Sequence, residues 1–315
     1  NTYVVKPSRQ TPLSMNMMMD VFDEAGFPPG VINLVNGTHD VTDALLTHPD
    51  VKGVSFVGST PAGLHVYKTA CAHGKRAQCQ GGAKNFLVVM PDADLPGTIG
   101  AIMTSSFGCA GQRCLAGSVV LAVGDIYEPL KKGIVDAAKG IRVGYGLDEG
   151  VQMGPVISAA AKKKIIEYIG IGVQEGAELL LDGRGIQVEG YPHGHFVGPT
   201  VFDKVSPEMR IVQEEIFGPV IGIMQVGSFE ESLHIIEDNP FGNAASIFTQ
   251  SGKWAREFKY RVPCGNVGIN VGIAAPIASF PVAGMKDSFF GDLHGQGQDG
   301  IRFFTDSKVV ISRWF

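Results

Sequence analysis

Short continuous apolar runs alternate along this chain with longer stretches whose apolar residues keep helical spacing. Residues 1–5 carry a β-branched run, residues 13–25 are apolar at helical spacing behind Pro12 and stop at Gly26, and residues 31–35 are apolar again. Strand, helix and strand within so short a span predict a parallel βαβ unit. The pattern repeats with a helix over 40–48, a strand over 53–57 and a helix over 62–72. Strands over 76–80 and 86–90, a helix over 95–107, a strand over 118–123 and a helix over 127–139 follow. A glycine-rich loop over 141–154 leads to a helix over 158–174, with lysines on one side. Strands over 179–181, 196–202 and 221–226 and a helix over 228–238 complete a second α/β lobe. Its start near residue 83 is the best boundary between lobes. The fold class is α/β.

At 315 residues the chain has room for two lobes. Charged residues make up 18% of it and the net charge is −5, which argues against a nucleic-acid surface or a polybasic membrane patch. The one basic cluster, His73-Gly74-Lys75-Arg76, reads as a solvated turn. The 42 glycines show no period, so they predict tight βα turns and close ligand approach. Five cysteines with no CxxC pair fit neither a disulfide framework nor a zinc site, and no metal is expected. A reducing compartment follows, cytoplasm or mitochondrial matrix. No apolar run is long enough to span a bilayer and no signal-peptide pattern opens the chain. Asn1 runs straight into a strand in progress, which suggests the C-terminal part of a longer protein; any targeting region would then lie outside the sequence.

Candidate chemistry sits in three places. In Phe107 to Gly117, FGCAGQRCLAG, Cys114 stands among small residues beside Arg113, a setting that favours a thiolate if the two side chains converge. The alternative is a small buried hydrophobe, the reading that suits Cys109. Where the strand over 53–57 meets the next helix, Gly58-Ser59-Thr60-Pro61 leaves unpaired N–H groups at a positive dipole end, suited to a pyrophosphate. A plain N-cap is the alternative, and the full GxGxxG pattern is absent. In Gln213 to Pro219, adjacent acids before Phe217-Gly218-Pro219 offer a carboxylate to ligand hydroxyls and a ring to pack on them, or else form a solvated acidic turn.

Taken together these stretches resemble the aldehyde dehydrogenase superfamily along the whole chain. The matches are Lys6-Pro7-Ser8, residues 24–31, Phe56 to Thr60, Gly111 to Cys114, Glu214 to Pro219 and Asn239-Pro240-Phe241-Gly242, in that order. The resemblance implies Cys114 as nucleophile, Lys6 at the adenosine ribose, Gly58 and Ser59 at the pyrophosphate, Glu215 at the nicotinamide ribose and Phe217 against the nicotinamide. Where the family carries Glu-Leu-Gly-Gly-Lys, whose glutamate is the general base, this chain has Gln80-Gly81-Gly82-Ala83-Lys84. An amide takes no proton at neutral pH, and loss of such a base typically costs about 10² to 10⁴ in rate. Gly82 to Asn85, Val88 to Ala93, Arg113-Cys114, residues 177–184 and Ser288 to Asp292 resemble the CoA-acylating methylmalonate-semialdehyde dehydrogenases, which carry asparagine where Gln80 stands.

That subfamily implies a semialdehyde substrate held by Arg113, NAD as coenzyme and coenzyme A as acyl acceptor. Arg9 stands where the family commonly has an acid at the adenosine ribose, so NADP is possible as well. By the same resemblance, residues 1–82 form a partial Rossmann-type NAD-binding domain and 83–283 the catalytic domain. Residues 284–315 form a C-terminal return, with an oligomerisation strand over 308–314 for a homo-oligomer. Such a protein would lack the N-terminal third, including an oxyanion-hole asparagine. The alternatives are a hydrolytic semialdehyde dehydrogenase and a truncated, non-catalytic remnant.

Overall fold

The computed structural model describes all residues, 1–315. The first lobe runs β1 (Tyr3–Val5), α1 (Pro12–Glu24), β2 (Ile32–Leu34), α2 (His39–Thr47), β3 (Gly53–Val57), α3 (Thr60–Ala72) and β4 (Arg76–Gln80). Strands β1 and β2 form one parallel pair and β3 and β4 another, as the βαβ pattern predicts. Leu46, Val66, Ala70, Ala77 and Cys79 form a small core beneath them. Helix α1 buries none of its residues, and Leu13, Met17 and Val21 are exposed along it. The supposed solvated turn differs from expectation at Lys75, which is buried and donates to the carbonyls of His48 and Val51. Two carbonyl acceptors replace the water that a buried ammonium would otherwise need.

The second lobe opens with β5 (Asn85–Val89), α4 (Leu95–Phe107), β6 (Gly117–Val123), α5 (Tyr127–Lys139), α6 (Ala159–Gln174), β7 (Glu178–Leu181) and β8 (Thr200–Asp203). It continues with α7 (Arg210–Gln213), β9 (Val220–Val226), α8 (Phe229–Asp238), β10 (Phe241–Gly242), β11 (Ala244–Phe248), α9 (Gly252–Arg261) and β12 (Asn266–Ile269). Its sheet has the order β12-β11-β5-β6-β9-β8-β7, parallel throughout except at the β7 edge. β5, β11 and nearly all of β6 and β9 are buried on both faces, so their sequences run apolar without alternation, as parallel strands covered by helices must. Helices start where a short polar side chain caps them: Asp94 accepts from Gly97 N, Ser158 from Ala161 N and Ser228 from Glu231 N.

The strand expected over 196–202 is only Thr200–Asp203. Pro199 cannot donate to a ladder, and Gly198 N is used instead on Gly183 O at 2.8 Å. After β12 the chain returns to the first lobe through β13 (Met285–Lys286), β14 (Phe289–Phe290) and α10 (Gly297–Phe303). β14 adds antiparallel to β4, with Phe289 opposite Gln80. Residues 308–314 pair with no strand of this chain, and Val309, Val310, Ile311 and Trp314 are exposed. No helix is long and apolar enough to cross a membrane.

The two sheets place the functional candidates. The carboxyl ends of β3 and β4 face the amino ends of β5, β6, β9 and β11, and every motif of the sequence reading except Lys6 and Arg9 lies in a turn at that junction.

Candidate active site

Cys114 stands in the connection between α4 and β6, and the backbone just before it is strained. Cys109, Ala110 and Gly111 are three consecutive residues in the left-handed region, with φ of 52°, 54° and 68°. That region costs a residue with a Cβ about 1–2 kcal/mol. At Gly111 no side chain fits: a Cβ would lie 2.1 Å from Gly218 O. The nucleophile turn therefore packs backbone to backbone on the Glu214–Pro219 turn, where Phe217 is itself left-handed with φ 60° and its ring is exposed.

The expectation that Arg113 sustains a Cys114 thiolate is corrected here. The Arg113 guanidinium lies over Gly108 and donates to Thr104 O at 3.4 Å, towards the carbonyl end of α4, where a cation is stabilised by the helix dipole. The Cys114 thiol keeps an open face to solvent but is pushed above its ordinary range, chiefly by the surrounding protein mass and further by the Glu215 carboxylate. The N–H groups of Cys114 and Leu115 oppose that shift. Cys79 and Cys264 are buried, and their thiols are pushed up to about 12.

Glu215 reaches across from the turn before β9. Its Oε1 accepts from Ala83 N at 2.9 Å, its backbone carbonyl accepts from Lys164 Nζ at 2.9 Å, and burial raises its pKa. Thr60 completes the bridge: its hydroxyl accepts from Gly82 N at 2.9 Å and donates to Asp287 O at 3.0 Å. So the start of α3, the Gly81–Ala83 turn and Glu215 form one connected surface. Ser59 occupies the N-cap position of α3 and makes no side-chain cap bond, which leaves its hydroxyl available. Gly58 N is tied to Gln80 O at 3.1 Å.

Lys84 is buried and donates to Ile211 O at 2.9 Å, and burial pushes its ammonium down to about 7. The Gln80 amide donates through Nε2 to Val282 O at 3.0 Å, while its Oε1 is buried without a partner. Lys6 and Arg9 stay apart from this cluster. Lys6 Nζ donates to Pro7 O and Gly37 O at the end of the β1–β2 pair, and Arg9 is exposed.

Several site residues escaped the sequence reading. Asn85 and Asn243 both donate to Cys114 O, at 2.9 and 2.6 Å, and Asn266 in turn donates to Asn243 O. Their signal was present as three asparagines at the amino ends of strands that are otherwise apolar. A strand end carries unpaired backbone groups that such amides can satisfy.

The site also fits a dinucleotide on its own geometry. An uncapped hydroxyl and a helix N-terminus behind a glycine suit a pyrophosphate, and the Glu215 oxygen not used on Ala83 N suits a ribose hydroxyl.

Comparison with known proteins agrees. The model of the aldehyde dehydrogenase family matches residues 1–310. Malonate-semialdehyde dehydrogenase 1 of Geobacillus thermodenitrificans is 49% identical over 317 residues, covering 100% of this chain and 65% of that protein. The crystal structure of methylmalonate-semialdehyde dehydrogenase from Oceanimonas doudoroffii superposes with a TM-score of 0.98 at 43% identity, over 100% of this chain and 64% of that one. An NAD⁺ complex of an aldehyde dehydrogenase from Bacillus cereus gives a TM-score of 0.91 at 32% identity, over 97% of this chain and 61% of that one. The chain thus spans just under two thirds of the length of the relatives it matches.

Proposed function

The chain belongs to the aldehyde dehydrogenase family, and from that premise we propose that it acts in NAD-dependent oxidation of malonate or methylmalonate semialdehyde, with transfer of the resulting acyl group to coenzyme A. The observation that carries the acylating reading is Gln80. The residue at the end of β4 is an amide anchored to Val282 O, so no carboxylate stands there to activate water.

The residues divide the work as follows. Cys114 Sγ adds to the aldehyde carbon. When bound, the nicotinamide supplies a hydride acceptor, and Cys114 is then left carrying a thioester. Ser59 and the first turn of α3 hold the pyrophosphate, Glu215 accepts from the nicotinamide ribose, and Phe217 packs beside the ring. Arg113 has only one long bond to Thr104 O, which leaves most of its planar fork for the substrate carboxylate. Loss of CO₂ from the β-carboxyl group passes its bonding electrons into the thioester, and the enolate takes a proton from solvent. The CoA thiolate then attacks the thioester carbon and Cys114 leaves as thiolate. No protein base is required for that step, because the attacking thiol ionises far more readily than water.

The test is NADH formation in the whole protein with semialdehyde and NAD, with and without CoA. Turnover should stall after one equivalent per site when CoA is withheld, and steady rates with CoA should be higher by about 10² or more. Comparable steady rates without CoA would overturn acyl transfer and favour hydrolysis.

A homo-oligomer is part of the same proposal. Residues 308–314 expose Val309, Val310, Ile311 and Trp314 and pair with no strand of their own chain. An unpaired apolar segment of this kind is a template for a second copy. Sedimentation should find a dimer or tetramer that dissociates when Val310 and Ile311 are replaced by aspartate; an unchanged assembly would remove this segment from the interface.

A further inference from the structure

We propose that Asn85 and Asn243 are positioning residues: together they clamp the peptide group that follows Cys114, turn its N–H onto the sulfur, and so set the reactivity of the thiol. The inference rests on Cys114 as the nucleophile of the proposed reaction and adds what holds it ready.

Asn85 begins β5 and Asn243 immediately precedes β11, the neighbouring parallel strand, so the two amides come from adjacent sheet ends. Both are buried, at 3% and 5% exposure. Asn85 Nδ2 donates to Cys114 O at 2.9 Å and to Ala116 O at 2.8 Å, while its Oδ1 accepts from Ala244 N at 3.1 Å. Asn243 Nδ2 donates to the same Cys114 O at 2.6 Å. A third asparagine, Asn266 on β12, holds Asn243 in turn, with N and Nδ2 on Asn243 O at 3.0 and 2.9 Å.

The Cys114 carbonyl and the Leu115 N–H belong to one planar peptide unit and point in opposite directions. Two amides that fix the oxygen therefore fix the N–H on the other side. Donation into a carbonyl also polarises its amide and strengthens the N–H as a donor. That N–H, with the one of Cys114 itself, favours the charged sulfur against burial and the Glu215 carboxylate. The nearby cations are committed elsewhere, Arg113 to Thr104 O and Lys84 to Ile211 O. Neutral amides acting through the backbone are what remains to prepare the nucleophile.

The test is the pH profile of iodoacetamide alkylation at Cys114 in the whole protein carrying Asn243→Ala. It is read by mass spectrometry on the tryptic peptide that begins at Cys114, which cleavage after Arg113 separates from Cys109. Alkylation of Cys114 at pH 7 should slow by about two- to tenfold, the equivalent of one ordinary hydrogen bond, with its midpoint moved up in pH. Alkylation of Cys109 should keep its profile. If the alanine variant does not fold, Asn243→Ser, which retains a polar group at the site, is read in the same way. An unchanged Cys114 profile, or equal changes at both cysteines, overturns the proposal. Because alkylation needs no dehydrogenase turnover, a shifted profile upholds the clamp even if the proposed reaction fails its own test.

Discussion

Cys114→Ser should lower NADH formation from malonate semialdehyde by about 10⁴-fold or more, the scale of loss when a covalent nucleophile is removed. A serine would keep the position and the two N–H groups of residues 114 and 115, yet its hydroxyl needs a base to become a nucleophile. None is free to act: Glu215 is bound to Ala83 N, Gln80 is an amide, and Lys84 donates to Ile211 O. The thiol needs less help, because even when pushed up by burial it ionises far below a hydroxyl. Single-turnover NADH formation in the whole protein measures the effect. Cys109→Ser is the control and should retain its burst, since that residue has no place in the connected surface around Glu215. A Cys114→Ser protein within tenfold of the parent would move the nucleophile elsewhere. Melting temperature should hardly change, because Cys114 is exposed and fills no core.

How much of this was legible in the sequence depends on whether the signal was local. The strands and helices up to Asp238 announce themselves by apolar runs and caps, and α4, residues 95–107, matches its expected bounds. Proline overrode the apolar signal at 196–199. Beyond Asp238 the reading made no assignment, and the structure has β11, α9, β12 and the return strand β14 there. β13 and β14 are two residues each, and a strand that short exists only because its partner is already in place. Gly111, Glu215 and Cys114 could be picked out singly. Their meeting could not be read, since the backbone contact of Gly111 with Gly218 joins turns of different strands.

Arg113 shows the limit of adjacency as an argument. Consecutive residues share a backbone but need not share a direction, and the guanidinium follows the carbonyl end of α4 rather than the neighbouring sulfur. The charge that does act on the thiol is Glu215, distant in sequence and of the opposite sign. Asn85, Asn243 and Asn266 make the converse case, residues with no charge and no motif that converge only when β5, β11 and β12 align. Parallel strands bring their amino ends to one edge of the sheet, and polar side chains placed there meet without any sequence proximity.

Gln80→Glu should raise NADH turnover in the absence of CoA by about 10² to 10⁴, converting much of the acylating activity to hydrolysis. The environment of the side chain tunes the base that would be made. Nε2 now donates to Val282 O, and Oε1 is buried with no partner, so a carboxylate there would face a carbonyl and find no donor. Burial without a donor raises a carboxyl pKa towards neutrality, where a general base is most effective. Turnover without CoA should therefore climb with pH through that raised value and then level off. Stability should run the other way. A carboxyl whose pKa is higher folded than unfolded stabilises the fold fully at low pH, and that contribution is lost as pH rises through the folded pKa. Losing the bond to Val282 should cost a further 1–3 kcal/mol or so, read as a lower melting temperature at all pH values. If CoA-dependent turnover survives in the variant while turnover without CoA stays at the parent's level, access of water to the thioester, and not the missing base, is what keeps hydrolysis slow.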